Sequence, residues 1–557
     1  MQFRWNHTQG APDYDRETGF GFVTGAVYTA DAALHIPETN SGFLPLWWYA
    51  GTPIFDIQQG EYGLQATAAE ALRAEDAADR RLPVWLRIQV PGEGVYRAEI
   101  TVTGTDDGEV LVFMGRRRLA WRGVLPAGAQ QIVTAYCDVF PIVPRGQADA
   151  VASDAVNIAV VGGALSAVAL AEAPHTRRIW VCGDSTVTDQ TGELPYAPGT
   201  SYAGWGQMLP AYLPEVCITN HAHSGLTTES FLSEGHWAIV KPRLRAGDIC
   251  LFQFGHNDQK LAHLQARGGH TDRLRTYIKE TRAAGAVPVL ITPLARNSWK
   301  DPTHYNDFLA DFADAVLDLG KEEAVPVLDL HAYAMQLIRQ EGLEAAKRWF
   351  YPGDYTHTND FGAYRMAGFV AGALGTAAGL PVADAPAWTP APPFVPFTPP
   401  KDCTLPSPDT DPFADYDAAR PQEVLTRAEA LELAIKALKL FPINVYNDLY
   451  ADIVGHETYA GTVQCAAQND LIPAAWVADG KLYPQRTVTA ADFLAVLMPG
   501  AAGRRPLAAP SPLPDTVPAY ARFAAGQAVA EQLISADSLN TPMTRSDAAV
   551  LCRRLHI

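Results

Sequence analysis

Hydrophobic and polar positions alternate in short runs through residues 1–172. Alternation is clear in VWLRIQV at 84–90 and in VYRAEITVTG at 95–104, with the turn-forming segment PGEG between them. A period of two is typical of strands that bury one face, and glycine and proline mark the turns that separate them. The pattern predicts an all-β sandwich for residues 1–172.

Residues 176–385 have a different pattern, in which short apolar strands alternate with helical periods. The strands are RIWVCG at 178–183, VCITN at 216–220, DICLFQFG at 248–255, VPVLITP at 287–293 and VPVLDL at 325–330. Buried strands that alternate with helices predict a parallel sheet covered on both faces, which is a three-layer α/β arrangement. Ligands bind at the carboxyl ends of such strands, and the first and third strands run directly into polar motifs.

A proline-rich segment and a degenerate repeat complete the chain. Residues 386–414 contain PAWTPAPPFVPFTPP, a composition that predicts an extended, semi-rigid linker. Within residues 415–557 a Thr with an acidic residue three positions later occurs three times, before an apolar helical run each time: Thr426/Glu429, Thr489/Asp492 and Thr544/Asp547. This spacing is that of a helix capping box. We therefore expect a multidomain protein that ends in a small, mainly α-helical repeat domain.

The net charge of the protein limits the kinds of molecule that it is expected to bind. The 557 residues include 43 Lys plus Arg against 61 Asp plus Glu, a net charge of −18. Such a protein repels phosphates at long range, so we expect no nucleic-acid partner and no anionic membrane partner. No run of about 18 apolar residues occurs, so the sequence predicts no membrane span.

Cysteine usage and the N-terminal segment bear on location. The seven cysteines include no CxxC pair, which favours buried free thiols over a disulfide framework or a structural zinc site. The segment MQFRWNHTQG lacks the apolar region of a secretory signal. We expect a cytoplasmic protein, with an extracellular, cell-wall-associated location as the alternative.

The first strand of the α/β region ends in WVCGDSTVTD, which places Ser185 where a parallel sheet presents its ligands. A serine nucleophile needs a base, a group that orients the base, and donors for an oxyanion. The segment YPGDYTHTNDFGAYRMA supplies Asp354 and His357, three residues apart. FQFGHNDQK supplies Asn257, whose amide can donate, and ITNHAHSGLTTESF supplies Gly225, which allows close approach of backbone N–H groups.

Each of these residues also has a structural interpretation. Ser185 is equally suited to a turn or a helix cap, and Asp354 to a cap. His357 fits a surface loop, and Asn257 and Gly225 fit turns that need a left-handed backbone. Arg296 can contact a substrate carboxylate or be an exposed structural arginine. The residues alone leave these alternatives open.

Four blocks in chain order, which are GDS, a glycine after the second strand, GxND and DxxH, resemble those of SGNH (GDSL-like) hydrolases. Five longer motifs give a finer resemblance. They are GDST with the following Val, GWGQ, the segment from Asn220 to Phe231, QFGHNDQ and DxTHxNxxGA, over residues 176–385. The finer resemblance is to rhamnogalacturonan acetylesterases. It implies a flavodoxin-like parallel sheet, a nucleophile (Ser185), a general base (His357) that Asp354 orients, and an oxyanion hole made by Ser185, Gly225 and Asn257. It implies no metal and no cofactor. Leu226 follows Gly225 where many members of the family have arginine.

The flanking regions resemble known modules too. DRETGFGFV and the alternating runs of residues 1–172 resemble the galactose-binding-like sandwich that precedes some of these esterases. The C-terminal repeats resemble S-layer-homology repeats, the first and third of them incomplete. The hypothesis is a carbohydrate O-acetylesterase that removes acetyl groups from acetylated pectin (rhamnogalacturonan) fragments by a Ser-His-Asp acyl-enzyme mechanism. Its partner is then an acetylated plant cell-wall oligosaccharide or polysaccharide. The alternatives are another ester, such as acetylated xylan, and a wall- or glycan-binding protein whose C-terminal repeats bind wall polymer or self-associate.

Overall fold

The computed structural model describes most of the chain. The described residues are 2–30, 42–46, 49, 52–78, 81–143, 149–301, 303–390, 413–438, 440, 449–453, 457–502 and 506–555. Most of the predicted linker lies outside these ranges. The chain divides into two compact units, Met1–Asp258 with Ala266–Pro406 and Gln259–Gln265 with Ser407–Ile557. The predicted boundary near residue 172 falls inside the first unit and stays a prediction.

The N-terminal part of the first unit is built from short strands, as the alternating pattern predicts. Its strands are β1 Gln2–Asn6, β2 Phe20–Phe22, β3 Phe43–Pro45, β4 Phe55–Gly60, β5 Gly63–Ala68, β6 Pro83–Gln89, β7 Gly94–Gly104, β8 Gly108–Met114, β9 Arg118–Leu125, β10 Gln130–Val139, β11 Ala155–Val161 and β12 Gly163–Glu172. Two short helices, α1 Gly25–Ala30 and α2 Ala74–Ala78, interrupt them.

All of these strands except β3 form two antiparallel sheets. One has the order β10-β7-β12-β5-β4, with β1 paired to β12, and the other has the order β2-β6-β11-β8-β9. The second sheet is buried on both faces. Along β8, Val110 and Val112 belong to the core shared by the two sheets, whereas Leu111 and Phe113 belong to a core that also contains Ile179 of the following region. Alternate residues of one strand therefore join the N-terminal sheets to the α/β region.

The α/β region contains the predicted parallel sheet. Its strands are β13 Arg178–Gly183, β15 Cys217–Asn220, β16 Ile249–Gln253, β17 Val287–Ile291 and β20 Val327–Leu328, and the short strands β14 Gly192–Leu194, β18 Trp299–Asp301 and β19 His304–Tyr305 lie outside it. The order is β15-β13-β16-β17-β20, with every pair parallel. Order therefore reverses between β13 and β16, and a ligand crevice opens at such a switch point, beyond the carboxyl ends of the strands.

Helices connect these strands. They are α3 Trp205–Met208, α4 Ser230–Ser233, α5 His236–Val240, α6 Thr271–Ala283, α7 Ala310–Glu322, α8 Leu330–Ala346 and α9 Asp360–Ala378. The side chain of Asn359 caps α9 by accepting a hydrogen bond from the Gly362 N–H, and Gly379 ends the helix in a left-handed conformation. The cap fixes the start of α9 directly after the His357 loop.

The second unit contains helices α10 Ala414–Ala418, α11 Arg427–Ala437, α12 Ala460–Gln468, α13 Ala490–Ala502, α14 Arg522–Ala530 and α15 Arg545–Leu555. The predicted Thr–acid caps are confirmed at α11, α13 and α15, where the N–H three residues on donates to each Thr hydroxyl. The residues before these threonines form a closed ring of backbone hydrogen bonds. Leu425 donates to Met543, Met543 to Val488, and Val488 to Leu425, at 2.8 to 3.0 Å. The three repeat starts are thus equivalent in the fold.

Candidate active site

Ser185 lies just beyond the carboxyl end of β13, at the switch point of the sheet. Gly183 makes the turn possible, because a Cβ there would lie 2.7 Å from the Gln253 carbonyl oxygen and 2.8 Å from a methyl group of Val187. Ser185 remains 9% exposed. Its Oγ lies 2.7 Å from Nε2 of His357.

His357 and Asp354 complete a linear set of hydrogen-bonding groups. His357 Nδ1 lies 2.8 Å from Oδ2 of Asp354, whose Oδ1 accepts the backbone N–H groups of Thr356 and His357 at 2.7 and 3.0 Å. Burial raises the pKa of Asp354, but His357 and these N–H donors outweigh it, and the pKa lies below the usual range. A carboxylate that accepts a hydrogen bond from Nδ1–H favours the tautomer whose Nε2 carries no proton and can accept the serine proton.

Neighbouring backbone and aromatic rings hold the His357 loop on two sides. Thr358 bridges to Phe350, and Asn359 bridges to Tyr202. The ring of Tyr202 stacks on Tyr351 with 3.6 Å between centroids and meets the imidazole of His357 edge-on at 5.7 Å. The imidazole is therefore fixed by packing as well as by its hydrogen bonds.

Asp184 directly precedes the serine, and the hydrogen bonds of its side chain hold the turn in place. Its Oδ1 accepts hydrogen bonds from the N–H and hydroxyl of Thr186, and its Oδ2 lies 3.1 Å from His256 Nδ1. His256 Nε2 lies 2.8 Å from the Leu294 carbonyl oxygen. Both ring nitrogens thus face acceptors. Burial nevertheless lowers the pKa of His256, against the opposing influence of Asp184. Burial raises the pKa of Asp184, but the His256 and Thr186 contacts outweigh it and the pKa lies below its usual value.

Gly225 and Asn257, predicted as oxyanion donors, lie in the loops that follow β15 and β16, the two strands on either side of β13. Gly225 is the third residue of a turn closed by the Leu226 N–H and the His223 carbonyl; its φ is +88°, and it is exposed. The Asn257 amide donates to the Leu226 carbonyl oxygen at 2.9 Å, which ties the two segments together. Leu226 itself is 2% exposed and packs in a core with Phe231, so the family's arginine is replaced here by a core side chain.

Two further polar residues of this region, Gln190 and Arg296, were not among the site residues predicted from the sequence. The Gln190 side-chain amide donates to the carbonyl oxygen of Ser185 at 2.8 Å. Arg296 is 3% exposed, so its interpretation as an exposed structural arginine is wrong. Burial lowers its pKa to about 10, against the opposing influence of Asp184 and Asp354. The sequence gives no signal for Gln190, and for Arg296 only a charged residue in the loop that follows β17.

Three consecutive arginines from the N-terminal sheets also reach this edge of the α/β region. Arg116 and Arg118 each place Nε 3.0 Å from Oδ2 of Asp189, and Arg117 places Nη1 2.8 Å from Oδ1 of Asp360. Asp189 in turn accepts a hydrogen bond from the Asn220 amide. The run GRRRL between two apolar strands was the available signal, because charged residues at a hairpin tip are otherwise solvated.

Histidines near the site do not cluster as metal ligands would. His221 stacks on Trp180, His256 pairs with Asp184, and His223 lies 5.2 Å from His236, between ring centroids. Within the described ranges, no group of three or more His, Cys, Asp or Glu side chains is placed to hold a metal ion. No helix in the same ranges is both long enough and apolar enough to cross a bilayer.

Comparison with known proteins gives consistent matches over this region. A model of the GDSL-like lipase/acylhydrolase family matches residues 181–365. The rhamnogalacturonan acetylesterase RhgT of Bacillus subtilis (strain 168) is 33% identical over 222 residues, which are 37% of this chain and 93% of that protein. The probable rhamnogalacturonan acetylesterase YesY of the same organism is 33% identical over 202 residues, 35% of this chain and 90% of that protein.

A third relative extends beyond the α/β region. The uncharacterized esterase YxiM of Bacillus subtilis (strain 168) is 28% identical over 373 residues, 64% of this chain and 82% of that protein. The fold, the site and these similarities define the chain as a carboxylic ester hydrolase. It belongs to the GDSL-like lipase/acylhydrolase, or SGNH hydrolase, family.

Proposed function

We propose that this enzyme is a carbohydrate O-acetylesterase that removes acetyl groups from acetylated pectin fragments of the rhamnogalacturonan type. The observation that carries the proposal is the continuous set of contacts from Ser185 through His357 to Asp354, at 2.7 and 2.8 Å. The relatives whose names state a substrate act on rhamnogalacturonan, and they support the choice of polymer.

The first half of the reaction transfers the acetyl group to the enzyme. The Ser185 oxygen attacks the acetyl carbonyl carbon while its proton moves to His357 Nε2, and the carbonyl oxygen becomes an oxyanion. Asp354 accepts the hydrogen bond from the Nδ1–H group and stabilises the imidazolium. The bond to the sugar oxygen then breaks, and the sugar hydroxyl leaves with the proton from Nε2, so that an acetyl-enzyme remains.

The second half releases acetate. His357 takes a proton from water, and the resulting hydroxide attacks the acetyl-enzyme. Collapse of the second oxyanion returns the proton to Ser185 and frees acetic acid. The Ser185 and Gly225 N–H groups and the Asn257 amide are the proposed donors to both oxyanions. Gly225 suits this role because its turn is exposed and a Cβ there would contact nothing within 4 Å.

Acetate release tests the substrate. We expect faster release from acetylated rhamnogalacturonan oligosaccharides than from acetylated xylan oligosaccharides at equal ester concentration. Ser185→Ala should abolish release from both. Equal rates on the two polymers would contradict the pectin assignment and leave the acyl-enzyme mechanism intact. Unchanged release by Ser185→Ala would contradict the mechanism itself.

We make separate proposals for the architecture of the three regions and for the partner of the C-terminal repeats. The paired antiparallel sheets support a galactose-binding-like sandwich, and the helices between the parallel strands support a three-layer arrangement. The ring of hydrogen bonds that joins Leu425, Val488 and Met543 supports three S-layer-homology-like repeats, with cell-wall polymer as the partner. Sedimentation of the full chain with purified wall polymer tests this partner. Failure to co-sediment at any polymer concentration would contradict it.

A further inference from the structure

The hairpin between β8 and β9 carries its charged tip into the interior of the protein. Residues 115–117 connect the two strands, and both Gly115 and Arg117 have positive φ, at +66° and +53°. A left-handed conformation is unfavourable for arginine, so surrounding contacts must hold it there. Those contacts are extensive, because the side chains of Arg117 and Asp360 are both 0% exposed.

The guanidinium of Arg117 joins three loops of the α/β region. Nη1 donates to Oδ1 of Asp360 at 2.8 Å, Nη2 to the carbonyl oxygen of Tyr202 at 2.6 Å, and Nε to the carbonyl oxygen of Gln190 at 3.1 Å. Only a planar fork of N–H donors can serve three acceptors in this way. A lysine at this position has the charge but lacks the fork.

Each of the three acceptors is adjacent to a reacting group. Asp360 follows His357 by three residues and begins α9. The Tyr202 ring meets the His357 imidazole edge-on, and the Gln190 amide donates to the carbonyl oxygen of Ser185. Arg117 therefore lies one contact away from both ends of the 2.7 Å hydrogen bond between Ser185 and His357.

Asp360 is itself fully satisfied around this contact. Its Oδ1 also accepts the Tyr196 hydroxyl at 2.8 Å, and its Oδ2 accepts the Gly199 N–H at 3.0 Å. A buried carboxylate with three donors has one favoured position, and α9 is fixed with it. The loop that carries His357 is thus held from its C-terminal side by a residue of the N-terminal sheets.

We propose that Arg117 is a positioning residue for the esterase reaction, and that the N-terminal sheets complete the active site through it. The inference rests on the catalytic roles proposed above for Ser185 and His357. Removal of the guanidinium frees the three loops to shift, and a displacement of about 1 Å between reacting groups costs on the order of 100-fold in rate. The effect falls on kcat, because Arg117 does not reach the substrate.

The test uses a charge-neutral double variant and a matched control. Arg117→Gln/Asp360→Asn removes both buried charges together, so that no uncompensated ion remains. Arg178→Gln/Asp248→Asn does the same to an ion pair whose side chains are 1% and 5% exposed, at the opposite end of β13 from Ser185. Both purified full-length variants are assayed on p-nitrophenyl acetate and on acetylated oligosaccharide, with folding checked by circular dichroism.

We expect the Arg117 double variant to lose about 10- to 100-fold in kcat with KM changed less than about threefold, while the control keeps its kcat. Arg117→Lys, which retains the charge, should show an intermediate loss, and it decides the matter if the double variant does not fold. Wild-type kcat in a folded Arg117 variant would overturn the proposal. An equal loss of kcat in the control would also overturn it, since the effect would then be one of stability alone.

Failure of the proposed substrate is distinguishable from failure of this inference. A wild-type enzyme that hydrolyses p-nitrophenyl acetate but releases no acetate from any polysaccharide would contradict the proposed function. The kcat comparison on p-nitrophenyl acetate would still decide the role of Arg117.

Discussion

The two ends of strand β13 both bury charge, but they use it differently. At the amino end, Arg178 pairs with Asp248 at 2.5 Å, and the Trp180 indole N–H donates to the same carboxylate. Arg178 also donates to the Arg243 carbonyl oxygen at 2.6 Å, so the cluster is closed on itself. At the carboxyl end, the carboxylate of Asp354 contacts an imidazole that contacts the hydroxyl of Ser185. His357 is 15% exposed, and this second cluster opens to solvent.

The difference separates buried charge that holds the fold from buried charge that does chemistry. An ion pair closed on itself has no group to pass a proton to and needs none. A carboxylate, imidazole and hydroxyl in series have one acceptor nitrogen in line with one weak nucleophile. Burial or an altered pKa alone therefore does not mark the site; the direction of the hydrogen bonds and the exposure of the last group do.

The largest effect is expected at the carboxyl end. Asp354→Asn should lower kcat by up to about 10⁴-fold, because an amide can donate to Nδ1 and favour the tautomer whose Nε2 carries the proton. Steady-state rates on p-nitrophenyl acetate measure this. Asp248→Asn, the matched change at the amino end, should leave kcat of the folded enzyme unchanged. Similar losses in both variants would remove the distinction between the two ends.

The matching experiment at the amino end of β13 measures stability rather than kcat. Arg178→Gln should lower the free energy of unfolding by about 3–5 kcal/mol, since it leaves Asp248 buried without its cation. Urea denaturation monitored by circular dichroism measures the change. The folded variant should keep its kcat. A stability change below about 1 kcal/mol would show that the amino-end pair does not hold the sheet as argued.

A smaller effect is expected from the histidines behind the Gly225 turn. Burial lowers the pKa of His236 to about 3, with the positive charge of Arg116 and the neighbouring His223 acting in the same direction. The unfolded chain takes up this proton near pH ~6.5. Stability contributed by neutral His236 is therefore complete above that pH and is lost as pH falls toward the folded pKa.

The test compares how steeply the free energy of unfolding falls with pH in the variant and in the wild type, rather than its absolute value. Between pH ~6 and ~4, His236→Gln should make the loss of unfolding free energy shallower by up to about 1.4 kcal/mol per pH unit. Other groups, such as Asp354 with its lowered pKa, also lose stability in acid and act equally in both proteins. Identical slopes for variant and wild type would contradict the neutral state of His236.

The smallest effect is expected in the second unit. Thr426→Ala removes the hydroxyl that accepts the Glu429 N–H at the start of α11 and should cost about 1 kcal/mol. Thr426→Ser, which keeps the hydroxyl, should cost less. Thermal denaturation measures the loss of stability in each variant. A separate activity assay measures kcat, which should not change. A fall in kcat with Thr426→Ala alone would show that the second unit contributes to the reaction.

Local pattern predicted the elements that carry the candidate site. The apolar strands before Ser185 and Asn257, and the Asp354–His357 spacing, needed only periodicity and short motifs. The contact between Arg117 and Asp360 was not predictable, because it joins residues 243 positions apart. Alternation tells which face of a strand is buried, but not which element covers it.

Arg296 shows the same limit, since a charged residue after a strand gives no sign of burial on its own. The oxyanion roles of Gly225 and Asn257 depend on where N–H groups point, which no spacing encodes. The predicted domain boundaries stay predictions. So do the cytoplasmic location and its cell-wall alternative.

Trapping the acetyl-enzyme tests the central claim most directly. Enzyme mixed with excess acetylated substrate is quenched in acid during turnover, digested and mapped by mass spectrometry. The account predicts the added mass of one acetyl group on the peptide that contains Ser185, and none in Ser185→Ala. An acetyl group on another residue, or the same adduct in the Ser185→Ala variant, would contradict it.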